Sequence, residues 1–433
     1  MKLNLLQLLP SWKNWPGTGL VRVILILLIT MVFLAIIPIY LHKISPFLLV
    51  FLMPRYDQEH KLALPAVDYS HRISAITGSK RTSLRRICNM FKGDWVPFPE
   101  GPYYTNETKC VIDNRQNCLK FGRPDSEFLK WRWKPDDCEL PPFDGAQFLE
   151  LVRGKSMAFV GDSVARNQMQ SLICLLTSVT RPLDISYILE TSEHWFYRDY
   201  NFTLAHLWTT HLVKAPGVKP QREVPSNLTL DEVDHSWAAE IETFDYVIIS
   251  SGHWFLRPLN YFEKGSLVGC HSCSGDEKKK GFDMYYAYRK AFRTAFRTLL
   301  ALPNFKGLTI LRTITESHVG DRREWSEDGD CAMTRPLARG AMELGGDVLK
   351  LYVIQMEEFE AAEREGRKKG LKFRLLNITE PMLLRPDGHP NQYGHWPHER
   401  VRRADCLHWC LPGPVDLWNE ILLQMVKMES QGS

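Results

Sequence analysis

The sequence lacks a large surplus of charge of either sign. Fifty-four Lys and Arg face 50 Asp and Glu over 433 residues, a formal net charge of +4. That balance neutralises no run of phosphates, so nucleic acid is not an expected partner. Internal repeats and low-complexity tracts are also missing. With 44% hydrophobic residues and 26 prolines the chain has a globular balance, which excludes a wholly disordered or collagen-like protein. No cysteine precedes residue 88; all ten fall between Cys88 and Cys410. No second CxxC accompanies Cys270-His-Ser-Cys273, so a paired CxxC metal site is not expected and a local disulfide is. The length admits up to three domains, but also one large α/β body with attachments.

What is present begins with a run of 19 uncharged residues, Val23 to Leu41. At about 1.5 Å per residue it nearly spans a hydrocarbon core of about 30 Å. The run exceeds a signal-peptide core and ends without a small-residue cleavage pattern, so a transmembrane signal anchor is predicted. Flanking charge does not orient it: Lys2, Lys13 and Arg22 precede the span, and Lys43, Arg55 and Lys61 follow. An even cysteine count and four sequons, at Asn106, Asn201, Asn227 and Asn377, all lie beyond it, which points to an oxidising lumen. The expected plan is a cytosolic tail (1–22), one membrane helix (23–41), a stem (42–87), a Cys-rich, loop-rich subdomain (88–142) and a larger domain (143–428).

In the larger domain, Ser156 to Val160 reads as a buried strand, followed by helical spacing from Val164 to Leu176. Phe244 to Ser250, Gly307 to Thr315 and Leu371 to Ile378 read as further strands, and Tyr285 to Leu302 as an amphipathic helix. Strands separated by helix-length segments predict an α/β fold with a doubly wound parallel sheet, whose ligand site lies beyond the carboxyl ends of the strands.

Gly161-Asp162-Ser163 stands at such a strand end and opens a helix. Ser163 there is either a helix cap or a nucleophile beside unpaired helix N–H groups that can stabilise an oxyanion. Asp405-Cys406-Leu407-His408, some 240 residues later, offsets a carboxylate and an imidazole by three positions. That offset lets Asp405 orient His408 while His408 takes a serine proton.

A strand-borne GDS serine with a C-terminal DxxH resembles the SGNH/GDSL esterase superfamily. More narrowly, GDSVARNQMQSLICLL, SSGHWF, LLRPDGHP and DCLHWCLPGPVDLWN resemble the plant trichome-birefringence-like polysaccharide O-acetyltransferases, across roughly Cys88 to Met425. EGPYYTNET and FGRPDSEFLKWRWKP are similar to the branch acting on xyloglucan or mannan. The resemblance implies an SGNH-like sheet with Ser163 as nucleophile, His408 as general base and Asp405 as its partner. It also implies a Golgi-membrane transferase that passes an acetyl group through acetyl-serine to a hydroxyl of a hemicellulose, xyloglucan before mannan. An esterase on the same three residues, or a carbohydrate-binding protein with an inactive site, stays open at this point.

Oxyanion donors expected on that basis are the N–H groups of Ser163 and Gly252, with Arg166 and Asn167 as further side-chain candidates and His253 as an oxyanion or substrate candidate. Ser250-Ser251-Gly252-His253 holds no Asn where the wider superfamily has one, so the third donor stays open. The resemblance further implies disulfides Cys88–Cys138, Cys110–Cys174, Cys118–Cys410 and Cys331–Cys406, leaving Cys270–Cys273. No cofactor is expected to stay bound. An acetyl donor derived from acetyl-CoA is required; no phosphate-cradling glycine loop is evident, and the resemblance implies supply through a separate membrane acetyl-transport partner. His389, His395 and His398 have no regular ligand spacing, so no metal is expected and His389 reads as a substrate-side or structural residue. Trp131, Trp133, Trp254 and Phe255 are candidates for stacking on sugar rings, Trp254 foremost because it follows a strand end. The near-neutral charge suits a neutral hemicellulose better than an acidic pectin.

Overall fold

The computed structural model describes residues 88–105, 108, 110–186, 192–217, 225–272, 281–319, 331–396, 398 and 404–431, all within one structural unit, Tyr69–Ser433. The expected tail, anchor at 23–41 and stem lie outside them, as do Asn106 and Cys273. Among the described residues no helix is long and apolar enough to cross a membrane.

The central strand is β3, Ser156–Gly161, after the hairpin strands β1 (Gly93–Pro97) and β2 (Trp131–Pro135). Short β4 (Leu183–Asp184), β5 (Ser192–Tyr197), β6 (Phe202–Trp208), β7 (Val213–Lys214), β8 (Ser226–Val233), β9 (Tyr246–Ser250), β10 (Leu259–Glu263), β11 (Ser266–His271), β12 (Leu308–Arg312) and β13 (Lys372–Leu376) follow. The main sheet runs β13-β12-β9-β3-β6-β5-β4. From β13 to β6 neighbours are parallel, while β5 and β4 are antiparallel. The sheet is therefore mixed, a correction to the wholly parallel one expected. The cause is a tight turn after Tyr200, where Asn201 takes a left-handed conformation at φ 47° and returns the chain beside β5.

Alternation along β3 explains the layers. Met157 and Phe159 enter one core and Ala158 and Val160 the other, because successive side chains leave a strand on opposite faces. Helices α1 (Gly145–Leu151), α2 (Ser163–Leu176) and the C-terminal helix Asp416–Gln431 cover the first face; α3 (Met284–Ala301) and α4 (Gly346–Lys368) cover the second. Both faces are thus closed, as parallel strands buried on two sides require. The strand expected through Thr315 stops at Arg312, because Ile314 N–H turns away to the buried side-chain oxygen of Gln355, 2.8 Å away on α4. A second sheet, β11-β10-β8-β7, and helix α4 go beyond the elements read from the sequence.

The Cys-rich subdomain carries the β1–β2 hairpin, closed by Cys88–Cys138. It is clamped to the larger body by Cys110–Cys174 on α2 and by Cys118–Cys410. Arg339 bridges Asp94 at 2.7 Å and Asp136 at 2.6 Å across the same boundary. Trp133 is 1% exposed and packs edge-on against Trp95, while Phe255 is 0% exposed; both are core, which corrects their candidacy as sugar platforms.

Candidate active site

Gly161 and Ser250 pair in register at the carboxyl ends of β3 and β9. A Cβ on Gly161 would lie 1.9 Å from the Ser250 carbonyl oxygen, so only glycine allows the strands to close here. One residue on, the Asp162 carboxylate accepts the Val164 N–H at 2.9 Å and is the helix cap. That settles the alternative of a capping serine: the Ser163 hydroxyl is released for another partner.

The partner is His408. Ser163 Oγ lies 2.7 Å from His408 Nε2, and His408 Nδ1 lies 2.7 Å from Asp405 Oδ2. Asp405 Oδ1 also accepts the N–H groups of Leu407 at 3.1 Å and His408 at 3.0 Å. Burial alone would push the Asp405 carboxyl up, but the neighbouring His408 and these hydrogen bonds outweigh it and hold the group well below the ordinary carboxylate range. An ionised Asp405 fixes hydrogen on His408 Nδ1 and leaves Nε2 to receive the serine proton.

Nearly every peptide group of residues 405–411 is tied down. Asp405 and Asn391 exchange backbone bonds at 2.8 and 3.0 Å, Cys406 O accepts His318 N–H at 3.1 Å, Cys410 N–H reaches Gly388 O at 2.9 Å and Leu411 N–H reaches Gln116 O at 2.8 Å. Disulfides Cys331–Cys406 and Cys118–Cys410 flank His408. The Cys-rich subdomain supports the loop from behind: Arg123 donates to Asp387 O at 2.6 Å and His389 O at 2.9 Å, and Arg385, paired with Asp387, donates to Phe128 O at 2.6 Å. Such bracing limits the misplacement that costs rate.

The other candidates separate. Asn167 is not an oxyanion donor: its Oδ1 accepts Trp409 N–H at 2.7 Å and its amide donates to Trp409 O and Gln116 Oε1, each at 3.2 Å. Its position about one and a half helical turns past the cap Asp162 points it at the loop, and both its donors are used. His253 is not a donor either. Its Nε2 donates to Thr315 O at 2.9 Å, and burial, aided by Arg312, pushes the ring down to about 3, so the remaining Nδ1 can only accept. The N–H groups of Ser163 and Gly252 have no acceptor among the described residues, and each lies two residues beyond the last paired positions of β3 and β9, Gly161 and Ser250. The Arg166 guanidinium lies 3.6 Å from Asp113 and 5.8 Å from the Trp208 ring centroid.

Ser163, His253, Trp254, Arg257, Asp405 and His408 line an open cleft of about 700 Å³. Arg257 covers the Trp254 ring at 3.6 Å. Arg115 also lines the cleft, a residue with no signal in the sequence beyond a polar loop. His389 is buried and turned to His318 and to the His408 carbonyl, while His395 lines the cleft and His398 is exposed. Among the described residues no three His, Cys, Asp or Glu converge as a metal site. Cys270 is disulfide-bonded, its expected partner lying outside the described residues. Asn201 and Asn227 are exposed. Asn377 is half-buried: its amide nitrogen donates to Tyr352 at 2.8 Å and its oxygen accepts from Thr313.

A serine at a strand-to-helix turn, backed by a Cys-tied Asp-His loop on a mixed α/β sheet, defines a protein of the SGNH acyl-esterase class. Residues 140–425 match the GDSL/SGNH-like acyl-esterase family found in Pmr5 and Cas1p, and residues 86–139 match the PMR5 N-terminal domain. The chain belongs to the trichome-birefringence-like family. It is 50% identical over 348 residues to protein trichome birefringence-like 20 of Arabidopsis thaliana, covering 79% of this chain and 72% of that one. It is 51% identical over 351 residues to protein trichome birefringence-like 19 of the same plant, covering 79% and 81%. To xyloglucan O-acetyltransferase 1 of Arabidopsis thaliana it is 41% identical over 352 residues, covering 79% and 80%.

Proposed function

We propose that this chain is a polysaccharide O-acetyltransferase that carries the acetyl group on Ser163 and delivers it to a hydroxyl of a neutral hemicellulose, xyloglucan before mannan. The observation that carries this is the Ser163–His408–Asp405 relay, with both links at 2.7 Å, opening on a cleft roomy enough for an oligosaccharide. Relatives bearing the name xyloglucan O-acetyltransferase support the acceptor.

In the first half-reaction Ser163 Oγ attacks the acetyl carbonyl of the donor, and its proton passes to His408 Nε2. The oxyanion faces the N–H groups of Ser163 and Gly252, and the donor's leaving group departs with the proton from His408. In the second half-reaction His408 takes the proton of a sugar hydroxyl. The alkoxide attacks acetyl-Ser163, the Ser163–acyl bond breaks, and the proton returns to Ser163. In this reading the face of Trp254 opposite Arg257 receives a sugar ring, and His253 Nδ1 is an acceptor for a hydroxyl. We place the catalytic body in the Golgi lumen on a type II anchor at 23–41, which accords with the sequence pattern and the disulfides. We further propose that a membrane transport partner supplies the acetyl group.

The test is incubation of the full chain with an acetyl donor and xyloglucan or mannan oligosaccharides, with mass spectrometry of the sugars. Acetylated xyloglucan fragments are expected, and none with Ser163→Ala. Free acetate without acetylated sugar would identify a hydrolase instead, and full transfer by Ser163→Ala would overturn the reading altogether.

A further inference from the structure

Beneath the base lies a pair of imidazoles that the chemistry above does not use. His318 Nε2 is 3.0 Å from the Leu383 carbonyl oxygen, His318 Nδ1 is 2.7 Å from His389 Nε2, and His389 Nδ1 is 2.7 Å from the His408 carbonyl oxygen. The rings are 4% and 1% exposed, and their centroids stand 4.9 Å apart at 52°, so they meet through ring nitrogens and not through faces. Trp409 stacks on His389 at 4.1 Å and holds its plane.

The hydrogens in this chain can be counted. A carbonyl oxygen only accepts, so the nitrogen at each end must carry a hydrogen. The central contact joins two nitrogens at hydrogen-bond distance and needs one hydrogen of its own, since two lone pairs facing at that distance repel. Three hydrogens on four nitrogens is one more than two neutral imidazoles possess. We infer that His318 and His389 are a positioning pair for His408, joined by three N–H donors and therefore sharing one imidazolium charge.

Charged surroundings act in both directions. Burial pushes each ring down, and His318 and His408 press His389 further the same way, while Asp405 favours the extra proton. Arg123, held by Asp125 at 2.9 Å, donates to the His389 carbonyl and disfavours the charge; Asp387 is committed to Arg385 at 2.8 Å. What retains the proton is what its loss would strand: the His408 carbonyl, the Leu383 carbonyl or the central contact would lose its donor between rings that are 4% and 1% exposed. The consequence falls on the base. Asp405 Oδ1 grips the His408 N–H and His389 grips the His408 carbonyl, so the peptides on both sides of the imidazole are set before substrate arrives.

The positioning role presupposes the acyl-transfer chemistry proposed above, whereas the hydrogen count does not. The full chain labelled with ¹⁵N-histidine should show, beside the downfield proton of the Asp405–His408 pair, a second strongly downfield exchangeable imidazole proton and nitrogen shifts of a single imidazolium spread over two rings at neutral pH. That signature should vanish in His318→Gln and persist in Ser163→Ala. Two neutral rings in the folded wild-type chain would overturn the shared charge, and that measurement needs no variant to fold. In the transfer assay His389→Asn, which keeps a donor near the His408 carbonyl, should retain kcat within about threefold. His389→Leu should lose about a hundredfold in kcat with KM unchanged. Wild-type kcat in a folded His389→Leu chain would overturn the positioning role, whereas transfer by Ser163→Ala would remove the chemistry and leave the spectrum as it was.

Discussion

Replacing Asn167 by leucine distinguishes a brace from a participant in catalysis. The side chain is 0% exposed and satisfies three buried groups: the Trp409 N–H at 2.7 Å, the Trp409 carbonyl at 3.2 Å and the Gln116 side-chain oxygen at 3.2 Å. Leucine matches asparagine closely enough in volume that packing changes little, but it leaves these groups without a partner in a dry interior. Each stranded group costs about 1–3 kcal/mol, and partial relaxation of Gln116 brings the expected total to roughly 2–5 kcal/mol. Because Trp409 follows His408 directly, a slackened loop should also lower kcat about a hundredfold. Urea unfolding of the disulfide-intact chain measures the first quantity and the acetyl-transfer assay the second. An unchanged unfolding midpoint together with a kcat loss of about 10²–10³ is what an oxyanion donor would produce, and that result would refute the assignment of Asn167 as a brace.

Asp405 gives a second test: its carboxyl is held below the ordinary range, so it stabilises the fold above about pH 4 and that support fades as pH falls toward the depressed value. Asp405→Asn should flatten the acid limb of stability and lower kcat by about 10⁴-fold, and an unaltered acid limb would contradict the depressed carboxyl. Glu420 behaves oppositely, since burial pushes it up to about 7 beside Asp416, itself pushed up to about 6. Raised carboxyls favour the fold at low pH and weaken it as pH rises through those values. Glu420→Gln should therefore recover on the order of 2 kcal/mol at pH 8 relative to pH 5, read as a shift in urea midpoint. Trp254→Ala should raise KM for an oligosaccharide acceptor about tenfold while sparing hydrolysis of a small acetyl ester, and equal losses on both would remove Trp254 from the acceptor site.

Much of the sheet was legible because its central strands are short apolar runs buried on both faces. SMAFV and FDYVIIS carry that pattern into β3 and β9 almost residue for residue. The antiparallel edge was not, because SEHWFY and FTLAHLW mix polar residues among aromatics and owe their pairing to the turn at Asn201. Helix α4 carries apolar residues at helical spacing in the midst of many charges, and burial against α3 decides which face is core.

In the site, the residue types and their order along the chain already named Ser163, Asp405 and His408, since a nucleophile after a buried strand and an Asp-x-x-His near the C-terminus are local patterns. Local spacing cannot state what lies across space. Asp162 rather than Ser163 caps the helix; Asn167 is spent on Trp409; His389 is buried against His318, 71 residues away in sequence. Sequence determined which chemical groups the chain possesses and which short elements carry them, because those depend on neighbours along the polymer. Only the folded packing decided which hydrogen-bonding capacity each group has left for chemistry, because donors and acceptors are consumed by partners that distant segments bring into contact.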